Sequence, residues 1–223
     1  MVSRFHLKIL ATVTMLIDHF AAVFYDVFRQ SENGYELYLL FRNIGRIAFP
    51  IFLYLFVVGY YQTRNRLRNL LLLLIGGIVS EVPFQLAFRV SGHHNIFWTF
   101  LIIGIGLSVW DYLRGLFGFD YVFWLIMFIV SGFVADYLKV DYGSIATGLA
   151  FLIAFFPGSQ FLAGVSVFVG GIVQNNFWLP MASFCCVFIW LVNLEKECLR
   201  LKYFFYIFYP LHLIVLVLLK TFL

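Results

Sequence analysis

The sequence predicts an all-α protein, a polytopic bundle of transmembrane helices, and three observations support this fold class. Hydrophobic residues make up 63% of the 223 residues, charged residues only 12%, and the mean hydropathy is +0.96. Apolar runs of roughly 17–25 residues, the length that crosses about 30 Å of hydrocarbon, fill almost the whole chain. Runs such as NLLLLLIGGIV do not alternate in polarity, as the strands of a membrane barrel would. This composition excludes an ordinary soluble domain.

About nine spans are predicted within one domain that covers residues 1–223. The first carries Asp18 and His19 and is followed by no small-residue cleavage site, so we expect it to remain in the protein. The second contains Pro50, which can bend a helix. The third to fifth are single apolar runs. The short sixth and seventh are joined by residues 157–159, so one re-entrant element is an alternative. The eighth is again apolar, and the ninth follows a basic connection. The predicted spans are 7–28, 38–61, 68–88, 96–113, 118–137, 142–156, 160–174, 177–194 and 203–222.

Basic residues in two short connections orient this predicted bundle. Such residues favour the cytoplasmic side of a membrane, and they also account for the net charge of +4. Threading the spans through both connections puts the N terminus in the cytoplasm. The cytoplasmic basic residues are Arg64, Arg66, Arg68, Lys196, Arg200 and Lys202. The connections predicted to lie outside are 29–36, 89–95 and 138–141.

The first predicted span carries an unusual polar face. Lys8 and His19 lie on one side of the helix, and at 1.5 Å per residue His19 is about 16 Å deeper than Lys8, near the bilayer midplane. Asp18 points about a quarter turn away. In the second span Arg42 and Arg46 are four residues apart, which places them side by side.

Glu81 adds an acidic group to the third span, about 20 Å from its cytoplasmic end at 1.5 Å per residue. Each ionised group at mid-membrane costs roughly 2.5–3.5 kcal/mol, so isolated groups at these positions would be expensive. We therefore predict that the buried polar side chains converge on one cavity. They are Asp18, His19, Arg46 and Glu81. The alternative left open is a structural Arg46–Glu81 ion pair, with His19 bonded only to neighbouring backbone.

Several segments resemble the TraX family of bacterial membrane proteins, which is associated with N-acetylation of pilin during conjugation. They are LKILATVTMLIDHF, RNIGRIAFPIFLYLFVVGYYQTRN, LLLLIGGIVSEVPFQLAF and NIFWTF, with YPLH as a local match in the second half. The resemblance covers residues 7 to about 100. The family looks distantly related to acyltransferase-3 enzymes, whose first helix carries a basic residue, ten further residues and a histidine. Lys8 and His19 have that spacing.

The resemblance implies transfer of an acyl group, acetyl from acetyl-CoA, to an amine or hydroxyl on a peptide, polysaccharide or lipid. It also implies a bacterial cytoplasmic (inner) membrane location. His19 titrates near neutrality and suits a general base or an acyl carrier. Asp18 is expected to orient another polar group, and Arg46 or Arg42 to stabilise an oxyanion. Glu81 completes the predicted catalytic set.

The phosphates of CoA need cations, and Arg64, Arg66 and Arg68 form the predicted docking cluster. The alternative is that these arginines only mark the cytoplasmic side of the membrane and bind no cofactor. Further predicted cofactor contacts are Lys8, Arg42 and His212, the last placed nearer the cytoplasmic side, where a satisfied interior histidine is the alternative.

No metal or nucleic acid is expected. His93 and His94 are interpreted as solvated, and Asn95, Thr99, Asp141 and Tyr142 as an outer vestibule. Two other functions compete with acyl transfer. One is an ion- or proton-coupled transporter that uses the buried polar groups, and the other is a chaperone-like membrane partner of a secreted polypeptide.

Overall fold

The structure, a computed structural model, describes residues 2–118, 120–156, 159–160, 164–165, 189–193 and 202–222. This part of the chain is almost wholly helical. Its helices are α1 (Arg4–Val23), α2 (Tyr25–Phe28), α3 (Gly34–Gly45), α4 (Ala48–Gln62), α5 (Arg66–Phe88), α6 (Ile96–Phe117), α7 (Asp120–Tyr137), α8 (Gly143–Phe155) and α9 (Lys202–Thr221). Two short strands, β1 (Val2–Ser3) and β2 (Val192–Asn193), pair in parallel.

Five helical segments among the described residues are long and apolar enough to cross a membrane. They are Arg4–Val23, Gly34–Gln62, Arg66–Phe88, Ile96–Phe117 and Tyr203–Thr221. The segments Tyr121–Tyr137 and Gly143–Phe155 are shorter apolar helices. The protein is therefore a multi-spanning helical membrane protein. The predicted spans at 160–174 and 177–194 lie mostly outside the described residues, so the number nine stays a prediction.

The second predicted span, 38–61, corresponds to one apolar segment, Gly34–Gln62, but this segment consists of two helices. The structure begins this segment at Gly34 and interrupts it between α3 and α4, where Arg46 and Ile47 form a turn. Pro50 explains the position of the break, because a proline ring clashes with the carbonyl four residues earlier, here that of Arg46. In the first turn of α4 the missing N–H of Pro50 costs nothing. The first predicted span, 7–28, also divides, at Phe24 between α1 and α2.

The two ends of the bundle are defined by contacts between helix termini. At the N-terminal end, Arg4 donates a hydrogen bond to Gln62, and Arg68 donates one to Tyr203. At the opposite end, the Asp26 carboxylate accepts hydrogen bonds from Arg89 and Lys220, each at 3.1 Å. The residues that were predicted to be cytoplasmic and that the structure describes thus share the N-terminal end. Which end faces the cytoplasm stays a prediction.

The helices of the described part pack in three overlapping sets. α1 packs against α3 and α4, α5 packs against α6 and α9, and α6, α7 and α8 pack together. Gly76 and Gly77 let α6 approach α5 closely. A Cβ on Gly76 would lie 3.3 Å from the Phe97 ring, and a Cβ on Gly77 would lie 3.1 Å from the Trp98 ring. Both glycines therefore serve close helix packing. The largest fully buried side chains in the described residues are Trp110, Tyr60 and Phe151.

Candidate functional site

A cavity of about 370 Å³ lies between α1, α3, α4, α5, α6 and α9, a volume within the usual range of small-molecule sites. One part of its wall is aromatic, with Phe49, Phe52, Phe84, Phe88, Phe97, Phe100, Phe205, Phe208 and Tyr209. The other part is polar, with Asp18, His19, Arg42, Arg46, His93, His94, Asp141 and Tyr142. Because the connections at 89–95 and 138–142 contribute wall residues, the cavity reaches toward the end opposite the N terminus.

His19 lies in the cavity wall and contacts a second histidine. Its Nδ1 is 2.7 Å from Nε2 of His212, and the two rings are nearly parallel, with 11° between their planes. The edges of Phe88 and Tyr209 flank the His19 ring, with centroids 5.1 and 6.0 Å away. The alternative in which His19 bonds only to backbone was wrong. His212, which was predicted nearer the end that carries the basic connections, is buried and lies level with His19.

Asp18 pairs with an arginine of α3 and not with the adjacent imidazole. Its Oδ2 is 2.7 Å from Nη1 of Arg42, as expected from the quarter turn between Asp18 and His19. The two helices approach closely here because α3 ends in Gly45. A Cβ on Gly45 would lie 2.7 Å from the Asp18 Cα and 2.1 Å from its Cβ. Glycine at this position therefore keeps the Asp18 carboxylate within reach of Arg42.

Arg46 contacts the connection between α7 and α8. It donates a hydrogen bond to the hydroxyl of Tyr142, whose ring stacks on Phe49 with centroids 3.7 Å apart and 4° between the planes. Tyr142 has a φ of +61°, a left-handed conformation that is rare for a bulky residue. The stack and the hydrogen bond together hold this conformation, so the Tyr142 hydroxyl has a fixed place in the cavity.

Asp141 precedes Tyr142 and also lines the cavity. Burial raises the pKa of Asp141 to about 6, and the Arg46 charge opposes this shift. Its backbone carbonyl accepts a 2.6 Å hydrogen bond from the buried hydroxyl of Thr99. Sequence reasoning placed Asp141 and Tyr142 in a vestibule but not beside Arg46. The sequence signal for a role at the cavity was the presence of two adjacent polar residues in a short connection.

Glu81 does not join this cluster, contrary to the prediction. Its carboxylate accepts hydrogen bonds from His94 at 2.7 Å, Asn95 at 2.6 Å and Trp98 at 3.0 Å. The alternative Arg46–Glu81 ion pair was therefore wrong as well. Glu81 meets the cavity only indirectly, because His94 is a wall residue. His94 is thus bonded to Glu81, although 40% of its side chain is exposed, so its interpretation as a solvated loop residue is correct only in part.

The cations predicted to dock CoA are not assembled around the cavity. Arg66 pairs with Asp111 at 2.7 Å, Arg68 bonds to Tyr203, and Arg64 is exposed. None of these three lines the cavity. They lie at the N-terminal end, where Arg66 is about 27 Å along α5 from the wall residue Phe84 at 1.5 Å per residue.

Two other predicted cofactor contacts also fail to join a phosphate site at the cavity. Lys8 lies 5.9 Å from the ring centroid of Phe205 and is not a wall residue. Arg42 does line the cavity, but its guanidinium is paired with Asp18. Among the described residues, these cations therefore form no phosphate site at the cavity. Within the described residues, no cluster of three His, Cys, Asp or Glu side chains is arranged for a metal ion.

The fold and the site define a class: a multi-spanning helical membrane protein whose cavity is lined by His19 and by a cluster of Arg and Asp side chains. The family model for TraX protein matches residues 3–220. The chain therefore belongs to the TraX family, and the resemblance seen in its sequence is confirmed.

Among curated proteins, the chain is similar to the probable fimbrial assembly protein FimC, serogroup H1, of Dichelobacter nodosus. The two are 32% identical over 82 residues, which cover 37% of this chain and 31% of that protein. The similarity thus spans about a third of the length of this relative. No solved structure matches the chain.

Proposed function

We propose that this protein is a membrane-embedded acyltransferase that moves an acetyl or other short acyl group to an amine or hydroxyl acceptor. One observation carries the proposal. The imidazole of His19 lies where the aromatic wall of the cavity meets the Arg/Asp cluster, with one ring nitrogen bonded to His212 and the other not used by that bond. An imidazole, which can accept a proton through one ring nitrogen, is thereby positioned at a small-molecule cavity.

In the proposed reaction His19 removes the proton from the acceptor N–H or O–H as that atom attacks the acyl carbon. The negative charge that develops on the acyl oxygen lies within the polar part of the wall, where Arg46 and the Tyr142 hydroxyl are hydrogen-bond donors. When the bond to the leaving group breaks, the imidazolium returns the proton to that group. In the covalent variant, His19 carries the acyl group before the acceptor takes it.

A thioester supplies an activated acyl group, and acetyl-CoA is the donor that we propose to test first. Because the predicted cation set is not assembled at the cavity, no step above uses the phosphates of that donor. The paired state of Arg42 is consistent with a cavity that accepts the acyl end of a donor and not its charged end.

For the acceptor we propose a filament subunit peptide, processed at the bacterial cytoplasmic membrane. This choice rests on the family and on the printed name of the relative from Dichelobacter nodosus, which describes fimbrial assembly. Polysaccharide and lipid acceptors offer the same hydroxyl chemistry and belong in the same acceptor panel.

The experiment measures transfer of radiolabelled acetyl from acetyl-CoA in nanodiscs, with a panel of filament subunits and a membrane extract as acceptors. His19→Ala is compared with His6→Ala, which removes an exposed histidine from the same helix. We expect His6→Ala to retain activity and a folded His19→Ala to lose it by about 10²-fold or more, the usual contribution of a general base.

Two results would contradict this proposal. A wild-type protein that neither cleaves the thioester nor labels any acceptor is not this acyltransferase, and uptake assays in liposomes would then test transport. A fully active His19→Ala variant would instead remove His19 from the mechanism.

A further inference from the structure

The geometry points to His212 as the residue that positions His19 by fixing which of its ring nitrogens carries the proton. The catalytic meaning of this inference rests on the proposed function, whereas the proton assignment itself does not.

The assignment begins at the backbone carbonyl of Phe208. Nδ1 of His212 is 2.9 Å from that oxygen. A carbonyl oxygen only accepts hydrogen bonds, so Nδ1 of His212 must carry the hydrogen. A neutral imidazole has one N–H, which leaves Nε2 of His212 as an acceptor with a free lone pair.

The second step passes from His212 to His19. Nε2 of His212 is 2.7 Å from Nδ1 of His19, and two lone pairs at that distance would repel each other. Nδ1 of His19 therefore donates. In neutral His19 the other nitrogen, Nε2, must then be the one with the free lone pair.

This arrangement gives His19 a single basic atom. The in-plane hydrogen bond to His212 and edge contacts with Phe88 and Tyr209 restrict rotation of the imidazole, so its two nitrogens cannot exchange places freely. When Nε2 takes a proton, Nδ1 still donates to His212, and the resulting imidazolium keeps its partner. A second group that fixes the tautomer of a working histidine is a recurrent device in proteins.

The same geometry excludes two other roles, that of Asp18 as the group that orients His19 and that of His212 as a cofactor contact. Asp18 is adjacent in sequence, but its Oδ2 is paired with Arg42 and its buried Oδ1 makes no hydrogen bond to His19, whose Nδ1 contacts His212 instead. His212 itself has one nitrogen bonded to Phe208 and the other to His19, so neither is left for the predicted contact with a cofactor.

The test compares the wild type with His212→Leu and His212→Gln. A glutamine amide has one acceptor and one donor group, so it can accept from His19 and donate to Phe208, whereas leucine can do neither. The protein is labelled with ¹⁵N-histidine in nanodiscs, and the resonances of residue 19 are assigned by difference from His19→Ala. The nitrogen shifts and the couplings to ring protons then show which nitrogen is protonated.

We expect His19 to be protonated at Nδ1 in the wild type and in His212→Gln, and to shift toward protonation at Nε2 in His212→Leu. In the transfer assay, kcat should fall about 10²-fold in the leucine variant with KM little changed, and glutamine should restore most of it.

A wild type in which neutral His19 is protonated at Nε2 would overturn the inference, whether or not acyl transfer is measured. If the leucine variant does not fold, the wild-type and glutamine spectra still show which ring nitrogen of His19 is protonated. An Nδ1-protonated His19 in a protein without acyl transfer would support the positioning by His212 and overturn the proposed function alone.

Discussion

The variant Gly45→Ala tests whether the close approach of α1 and α3 holds the polar part of the cavity. The added Cβ would lie 2.1 Å from the Cβ of Asp18 and 2.7 Å from its Cα. Carbon atoms in contact are normally about 3.5–4.0 Å apart, so the two helices must separate by roughly 1 Å or more. The obstructing atoms belong to the backbone or are fixed directly to it, and a rotamer change cannot remove this clash.

The expected cost follows from that geometry. Overpacking in a dense interior typically costs about 1–3 kcal/mol, and the absence of a flexible neighbour puts Gly45→Ala at the upper end. Helix separation also lengthens the 2.7 Å Arg42–Asp18 pair. We expect a loss of about 3 kcal/mol in the free energy of unfolding, which is roughly a 100-fold change in the folding equilibrium.

Unfolding in mixed micelles, followed by tryptophan fluorescence, measures this change. Gly59→Ala is the matched control, because a Cβ on Gly59 meets no atom within 4 Å. That substitution should be neutral or stabilising by about 0.5–1 kcal/mol, since alanine favours helix over glycine. If Gly45→Ala were as stable as Gly59→Ala, the close packing of α3 on α1 would be refuted.

Two further predictions concern charges near the cavity. Arg42→Gln should lower the free energy of unfolding by about 2–3 kcal/mol, because it removes the charged hydrogen-bond partner of the Asp18 carboxylate. Arg89→Gln breaks an exposed ion pair and should lower the free energy of unfolding much less. Equal losses in the same unfolding assay would contradict this contrast. Because burial raises the pKa of Asp141 from 3.8 to about 6, the folded state binds that proton more tightly than the unfolded state, and the wild type loses stability as pH rises from about 4 to about 6. Asp141→Asn should remove this loss, so its stability relative to the wild type should rise across that window and level off above it; a constant difference would argue against the raised pKa.

The helical membrane fold could be predicted from the sequence because hydropathy and run length act locally. The same holds for the quarter turn between Asp18 and His19, which correctly placed the carboxylate away from the imidazole. Pro50 signalled a bend, but the interruption at Arg46 depends on a clash within one turn that a count of apolar residues does not register.

The partners of the polar side chains could not be predicted in the same way. Helical periodicity gives the direction of Glu81 on α5 but not the identity of the helix that faces it, and the facing groups are His94, Asn95 and Trp98. The contact between His19 and His212 joins residues 193 positions apart, so no sequence spacing connects them. Such pairs are fixed by how the spans pack, which requires the structure.

That long separation has a consequence for how the protein is made. α1 is synthesised before the other helices and carries Asp18 and His19, and Arg42, the partner of Asp18, follows only 24 residues later. His19 must wait until position 212 has left the ribosome, about 10–40 s at a synthesis rate of roughly 5–20 residues per second. During that interval a lone imidazole stays in the nascent bundle, still open to water, lipid headgroups or insertion factors. Completion of the histidine pair is therefore a late event in biogenesis, and it marks the moment at which the cavity acquires its final chemistry.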